Sequence, residues 1–118
     1  MKVYVDDIRN PQNHLSSEQA ADVVWIKEWW DARNFIFYNN LEIEVIHLDN
    51  YLGDRTHTGA DLLRMITYRF RRGEFPKLKQ IYLHSSDKDI VNKLYDTHIE
   101  CCTEAGVELI KNSRPNRS

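Results

Sequence analysis

Residues 43–49, Ile43-Glu44-Val45-Ile46-His47-Leu48-Asp49, decide the fold of this 118-residue chain. The stretch is short, rich in β-branched residues and apolar at neighbouring as well as alternate positions. That pattern predicts a strand buried on both faces, as in a parallel sheet. It stops at a carboxylate, Asp49. Toward the N-terminus, Val3-Tyr4-Val5 repeats the pattern and stops at Asp6-Asp7, and Val23 to Ile26 reads as another strand. Toward the C-terminus, Gln80-Ile81-Tyr82-Leu83 runs into His84-Ser85-Ser86, and Val107 to Ile110 leads to Lys111.

Amphipathic segments lie between these strands. Residues 28 to 39 carry Trp29, Trp30, Arg33 and Phe37 about one turn apart. Thr58-Gly59-Ala60-Asp61 has the form of a capping box and opens a helix with Leu62, Leu63, Ile66 and Phe70 on one side; Gly73 and Pro76 stop it. Ser86 and Asp89 repeat the capping pattern before a helix that stacks Ile90, Val91, Leu94, Tyr95, His98 and Cys102, closed by Gly106. Residues 9 to 17 hold Asn10, Pro11, Asn13, Ser16 and Ser17 and read as loop, with one helical turn expected over 18 to 22. The order is β, β, α, β, α, β, α, β. Helical crossovers between strands imply a parallel sheet covered on both faces, and their right-handedness implies a doubly wound one. The segment between the first two strands is too polar and short for a full helix. One domain is expected over 1–111, with a polar tail over 112–118.

The bulk numbers exclude several classes. The chain is 42% hydrophobic and 29% charged, which fits a soluble globular domain. A net charge of −2 does not predict a general nucleic-acid binder. Cys101 and Cys102 are adjacent and no Cys-x-x-Cys pair exists, so neither a disulfide scaffold nor a cysteine zinc site is expected. Two buried or half-buried thiols on a helix, reduced in a cytoplasmic setting, are the reading. The N-terminus turns acidic at once, unlike a signal peptide, and no apolar run approaches membrane-spanning length.

In open α/β sheets, ligands sit at the carboxyl ends of the strands. Those ends here hold Asp6, Asp7, Asp49, His84, Ser85, Ser86 and Lys111. Converging carboxylates repel each other unless a cation joins them. Mg²⁺ prefers such oxygen ligands, and Mn²⁺ takes the same kind. A metal-bound phosphate beside a hydroxyl and an ammonium forms a coherent phosphoryl-transfer site.

These tips resemble those of the receiver domains of two-component signalling, over nearly the whole chain. The motifs are more similar to a divergent branch, the cyclic-phosphate-processing receiver-like family. Its Asp-Asp-x-Arg matches Asp6-Asp7-Ile8-Arg9, and its Leu-Asp-x-x-Leu-Gly matches Leu48-Asp49-Asn50-Tyr51-Leu52-Gly53. Its Thr-Gly-x-Asp matches Thr58 to Asp61, and its His-Ser matches His84-Ser85. The resemblance implies a flavodoxin-like or receiver-like α/β fold: a five-stranded parallel sheet of order 2-1-3-4-5, its first helix reduced or missing. It also implies work on nucleotides or RNA ends bearing cyclic phosphates, in bacteria or their phages. Two positions depart from the family. Tyr51 stands where a second aspartate is common, and Asp87 where an asparagine often follows His-Ser-x. Both bear on catalysis more than on metal binding, and Asp54 is a candidate replacement carboxylate.

On that basis Asp6, Asp7 and Asp49 would hold Mg²⁺ or Mn²⁺. In a phosphoacceptor Asp49 would be the nucleophile, with Ser85 and Lys111 closing on the phosphoryl group. In a cyclic-phosphate enzyme His84 would protonate the leaving sugar oxygen. A third reading is an inactive binding module. Plainer roles compete throughout: a turn for Asp6-Asp7, packing for His84, a helix cap for Ser86, a solvated cation for Lys111. A two-histidine phosphoesterase would need a second His-x-Ser/Thr on a strand, and none is found. Trp25, Trp29, Trp30, Phe35 and Phe37 are mainly core, but Trp29 and Trp30 cannot both face inward, which leaves one for a protein partner or the cleft. Arg64, Arg69, Arg71 and Arg72 read as a solvated face, with RNA-backbone contact as the alternative.

Overall fold

Five short strands lie side by side in parallel, in the order β2-β1-β3-β4-β5. The computed structural model describes residues 1–50 and 56–112. The elements are β1 (Lys2–Val5), α1 (Pro11–His14), α2 (Ser17–Ala20), β2 (Val23–Ile26), α3 (Trp29–Tyr38), β3 (Val45–Asp49), α4 (Gly59–Phe70), β4 (Gln80–His84), α5 (Lys88–Glu104) and β5 (Glu108–Asn112). Strand order and direction are those expected of a receiver-like sheet. β5 runs one residue past the boundary expected at 111.

Side chains alternate across each strand. Val3, Val5, Ile46, Leu48, Ile81, Leu83 and Leu109 fall on one face and join one core with the buried residues of α3, α4 and α5. In α3 those residues are Trp29, Ala32 and Ile36, at helical spacing. In α4 they include Leu62, Leu63 and Ile66, as the sequence predicts. The opposite face carries Lys2, Tyr4, His47, Gln80 and Tyr82. Here α2 flanks the sheet, and the Lys2 ammonium donates to the Glu18 carbonyl at 2.9 Å.

Between β1 and β2 the full helix is replaced by two four-residue turns. The second falls where one turn is expected, held by a reciprocal box: Gln19 N–H to Ser16 Oγ and Ser16 N–H to Gln19 Oε1, both 3.1 Å. The first corrects the loop reading of 9–17. Pro11 occupies the first helical position, where its missing N–H costs nothing, and the Asn10 side chain accepts from Gln12 N–H at 2.8 Å. The cap of α5 is also corrected. Asp87, not Ser86, accepts the Asp89 and Ile90 N–H groups, at 3.0 and 3.3 Å. The departure at 87 therefore exchanges one good capping residue for another. Gly106, at φ +77°, closes α5 in the left-handed region, where glycine carries no Cβ penalty.

Both cysteines are free thiols on α5, Cys102 buried and Cys101 half-buried. Burial raises the Cys102 thiol to about 12, so it is inert. Trp29 is buried and Trp30 is 53% exposed, so the tryptophan pair splits as helix geometry requires. Arg64 pairs with Asp61 and Arg69 with Glu74. No described helix is long and apolar enough to cross a membrane.

Candidate metal centre

Asp6, Asp7 and Asp49 meet at the carboxyl rim of β1 and β3. Each offers one carboxylate oxygen, and the three lie within 4.8 Å of one another. Neighbouring parallel strands end side by side, so tips far apart in sequence become neighbours. Asp6 is buried, and its Oδ1 accepts the Ile8 and Arg9 N–H groups, both at 2.9 Å. The short polar loop after β1 thereby fixes one carboxylate oxygen, with Tyr4 Oη 3.5 Å from the other. The Trp25 indole N–H donates to the Asp6 carbonyl at 2.8 Å and ties β2 to the same rim.

Asp49 is held from the other side by α4. Gly59 N–H donates to the Asn50 carbonyl at 2.9 Å, and the Asn50 side chain accepts Ala60 N–H at 3.2 Å. A Cβ on residue 59 would lie 2.2 Å from the Asp49 carbonyl oxygen, so only glycine lets the helix come this close. Asp61 accepts Thr58 N–H at 2.9 Å and starts α4 at that point. Thr-Gly-x-Asp is thus the device that seats a helix end against the Asp49 backbone.

Burial, then the nearby Asp6 charge, raises the Asp49 carboxyl to about 7; Asp7 adds to the rise and Arg9 opposes it. Burial also raises the Tyr4 phenol. Three hard oxygen donors, two of them buried and crowding their negative charge, fit Mg²⁺ or Mn²⁺. A divalent cation would offset the repulsion that now resists ionisation of Asp49.

The other expected site residues divide. His84 is the register partner of Asp49 across β3 and β4. His84 and Ser85 line one small cavity with Asp49, Asn50 and Gly59. Ser85 is buried, and its Oγ accepts Asp87 N–H at 3.1 Å. Lys111 turns toward α5 instead: its ammonium donates to Asn92 Oδ1 at 3.2 Å and lies 4.7 Å from the Tyr95 ring centre. Tyr51, Leu52, Gly53 and Asp54 lie outside the described residues, as does the tail after 112.

Two residues without an expected role stand close to the site. Arg9, quoted only as part of a motif, is a cation whose field bears on Asp49. His47 is buried two places before Asp49, with its Nδ1 2.8 Å from His84 Nε2. Burial, and then Lys2, lowers His47 to about 4, so it is neutral near pH 7. The available signal was an imidazole inside an otherwise apolar central strand.

A receiver-type sheet with an acidic cluster at its carboxyl rim defines a receiver-like domain. A family model described as the cyclic-phosphate processing receiver domain matches residues 1–100. The chain belongs to that family. The match takes in Asp6, Asp7, Asp49, His84 and Ser85 and stops short of Lys111. No curated protein and no solved structure matches the chain.

Proposed function

We propose that this domain processes cyclic phosphates on nucleotides or RNA ends, with Mg²⁺ or Mn²⁺ held by Asp6, Asp7 and Asp49. One observation carries the reading: the three-carboxylate cluster shares its rim with a histidine, because His84 is the register partner of Asp49. The cation, when bound, supplies positive charge against the phosphate oxygens.

The chain's own residues supply the rest. Asp6, fixed by two backbone amides, presents its remaining oxygen. Asp49 would serve as a ligand in its ionised form. Arg9 tempers the negative field so that an anionic substrate can approach. A water molecule would add to phosphorus and lose a proton to solvent while the P–O bond to the sugar oxygen breaks, and His84 would give that oxygen its proton and regain one from solvent. The Ser85 hydroxyl lies beside it to orient a phosphoryl oxygen.

The test is hydrolysis of a 2′,3′-cyclic nucleotide and of an RNA with a cyclic phosphate end, alongside Mg²⁺ titration followed by NMR. Amide shifts should centre on residues 6, 7 and 49, and turnover should vanish with EDTA or in Asp49→Ala. A folded protein that binds Mg²⁺ there, opens no cyclic ester and takes up a phosphoryl group from acetyl phosphate would make it a phosphoacceptor instead. The direction of Lys111, toward Asn92, favours the first reading.

A further inference from the structure

We propose that Trp30 is a base-stacking platform for the RNA strand that leads to the reacting end, so that the substrate is the end of an oligonucleotide rather than a free nucleotide. The inference rests on the proposed cyclic-phosphate activity and narrows its substrate class.

Trp30 is 53% exposed, yet its ring is held in place. Trp29 meets it edge to face, with centres 4.8 Å apart and planes at 83°. The His57 ring packs against both, 4.5 Å from Trp29 and 5.1 Å from Trp30. Trp29 is itself buried, and its indole N–H donates to the Thr58 carbonyl at 2.9 Å. An exposed ring that is already fixed loses little freedom when a second flat ring lies on it. The residues beside it on α3 are polar, Asp31, Arg33 and Asn34. The Arg33 guanidinium stands 5.9 Å from the ring centre, where it can meet the phosphate of a stacked nucleotide. One ring among polar groups matches one base, whereas a protein partner calls for a contiguous apolar patch.

The ring also belongs to the same rim as the acidic cluster. Trp30 lies in the first turn of α3, just after β2 ends. Thr58, which takes the Trp29 N–H, precedes Gly59, and Gly59 lies against the Asp49 backbone. The path of contacts from the Trp30 ring to the Asp49 carbonyl is at most on the order of 15–20 Å long. Nucleotides stacked along one strand are about 3.4 Å apart. A strand whose cyclic phosphate meets the cluster therefore carries bases within reach of Trp30 a few places upstream. Charge makes stacking the main source of affinity. The net charge is −2, and Glu28 and Asp31 flank the ring, so attraction for phosphate alone would not hold a strand. Every base has a π-face, so such a platform reads the length of the strand and not its sequence.

The experiment is fluorescence anisotropy of a labelled hexanucleotide RNA ending in a 3′-phosphate, with Mg²⁺ present, alongside kinetics on cyclic phosphates carried by one, two, four and six nucleotides. In the unmodified chain KM should fall as the RNA lengthens. Trp30→Ala should weaken hexanucleotide binding about 10-fold and erase the gain with length, whereas Trp30→Phe keeps a smaller ring and should retain most of it. Tyr38→Ala removes another exposed ring, about two turns further along α3, and should bind the hexanucleotide as the unmodified chain does. Added salt should weaken binding only slightly, as few phosphate contacts require. The proposal is overturned if the hexanucleotide does not bind, if Trp30→Ala binds it as tightly as the unmodified chain, or if Trp30→Phe loses as much as Trp30→Ala. Turnover of the cyclic mononucleotide with no effect of length would keep the proposed function, overturn the platform and leave the exposed ring to a protein partner. Trp30-dependent binding of the hexanucleotide with no cyclic-ester turnover would sink the proposed function and keep the platform.

Discussion

The two faces of the sheet are built from the same strands and do opposite work. On the helix face, Val3, Val5, Ile46, Leu48, Ile81, Leu83 and Leu109 meet the apolar stripes of three helices. On the other, Tyr4, His47 and Tyr82 sit one residue out of step with them, and the acidic tips Asp6 and Asp49 continue that same alternation. The first face stabilises the fold by removing apolar area from water. The second holds polar groups that burial makes costly, and the first offsets that cost. The candidate metal site and the apolar core are thereby separated by a single residue step along β1 and β3, so substitutions on the two faces should fail in different ways.

The sharpest test of that separation is Leu63→Ala in α4. It should cost about 2–5 kcal/mol of stability, read by urea unfolding, and leave Mg²⁺ shifts at residues 6 and 49 in place while the protein remains folded. Next comes Asp49→Asn, which should do the reverse. The fold raises the Asp49 carboxyl from 3.8 to about 7, so it favours the protonated form. Its stabilising contribution is full below the unfolded value and is lost as pH rises through 7. Asp49→Asn should therefore raise the metal-free Tm by several degrees at pH 8, less at pH 5, and abolish the Tm gain from Mg²⁺. In the unmodified chain that gain should grow as pH rises through 7, because cation and proton compete for the same carboxylate. Equal gains at pH 6 and pH 8 would contradict this.

Gly59→Ala lies between the two faces. Its Cβ must displace the Asp49 carbonyl, so it should cost about 1–3 kcal/mol and also weaken Mg²⁺ binding, since the ligand strand moves. A loss of stability with Mg²⁺ affinity intact would show that α4 does not position Asp49. The smallest effect belongs to Trp30→Ala. This ring is exposed, and its removal should change stability by no more than about 0.5 kcal/mol, whereas buried Trp29→Ala should cost about 3–5.

Much of this was legible from residue order. Runs such as Val3 to Val5 and Val45 to Leu48 announce buried parallel strands, and the stripe Leu62, Leu63, Ile66 announces a core helix. The acidic tips were legible because strand ends are marked by where apolar runs stop. Errors fell where one residue type serves two roles. Pro11 punctuates loops but also begins helices, and Ser86 and Asp87 compete for one cap. The local sequence holds no term that decides between them.

The sequence by itself determined the sheet, its helices and the carboxylate tips, because a period of two or of 3.6 and the end of an apolar run are local properties. Tertiary structure alone decided that His47 meets His84, that Gly59 lets α4 touch the Asp49 backbone, and that Lys111 turns to Asn92. Those outcomes depend on cross-strand register and on which helix covers which strand. Register and packing are set by the whole core at once, so no single stretch of chain encodes them.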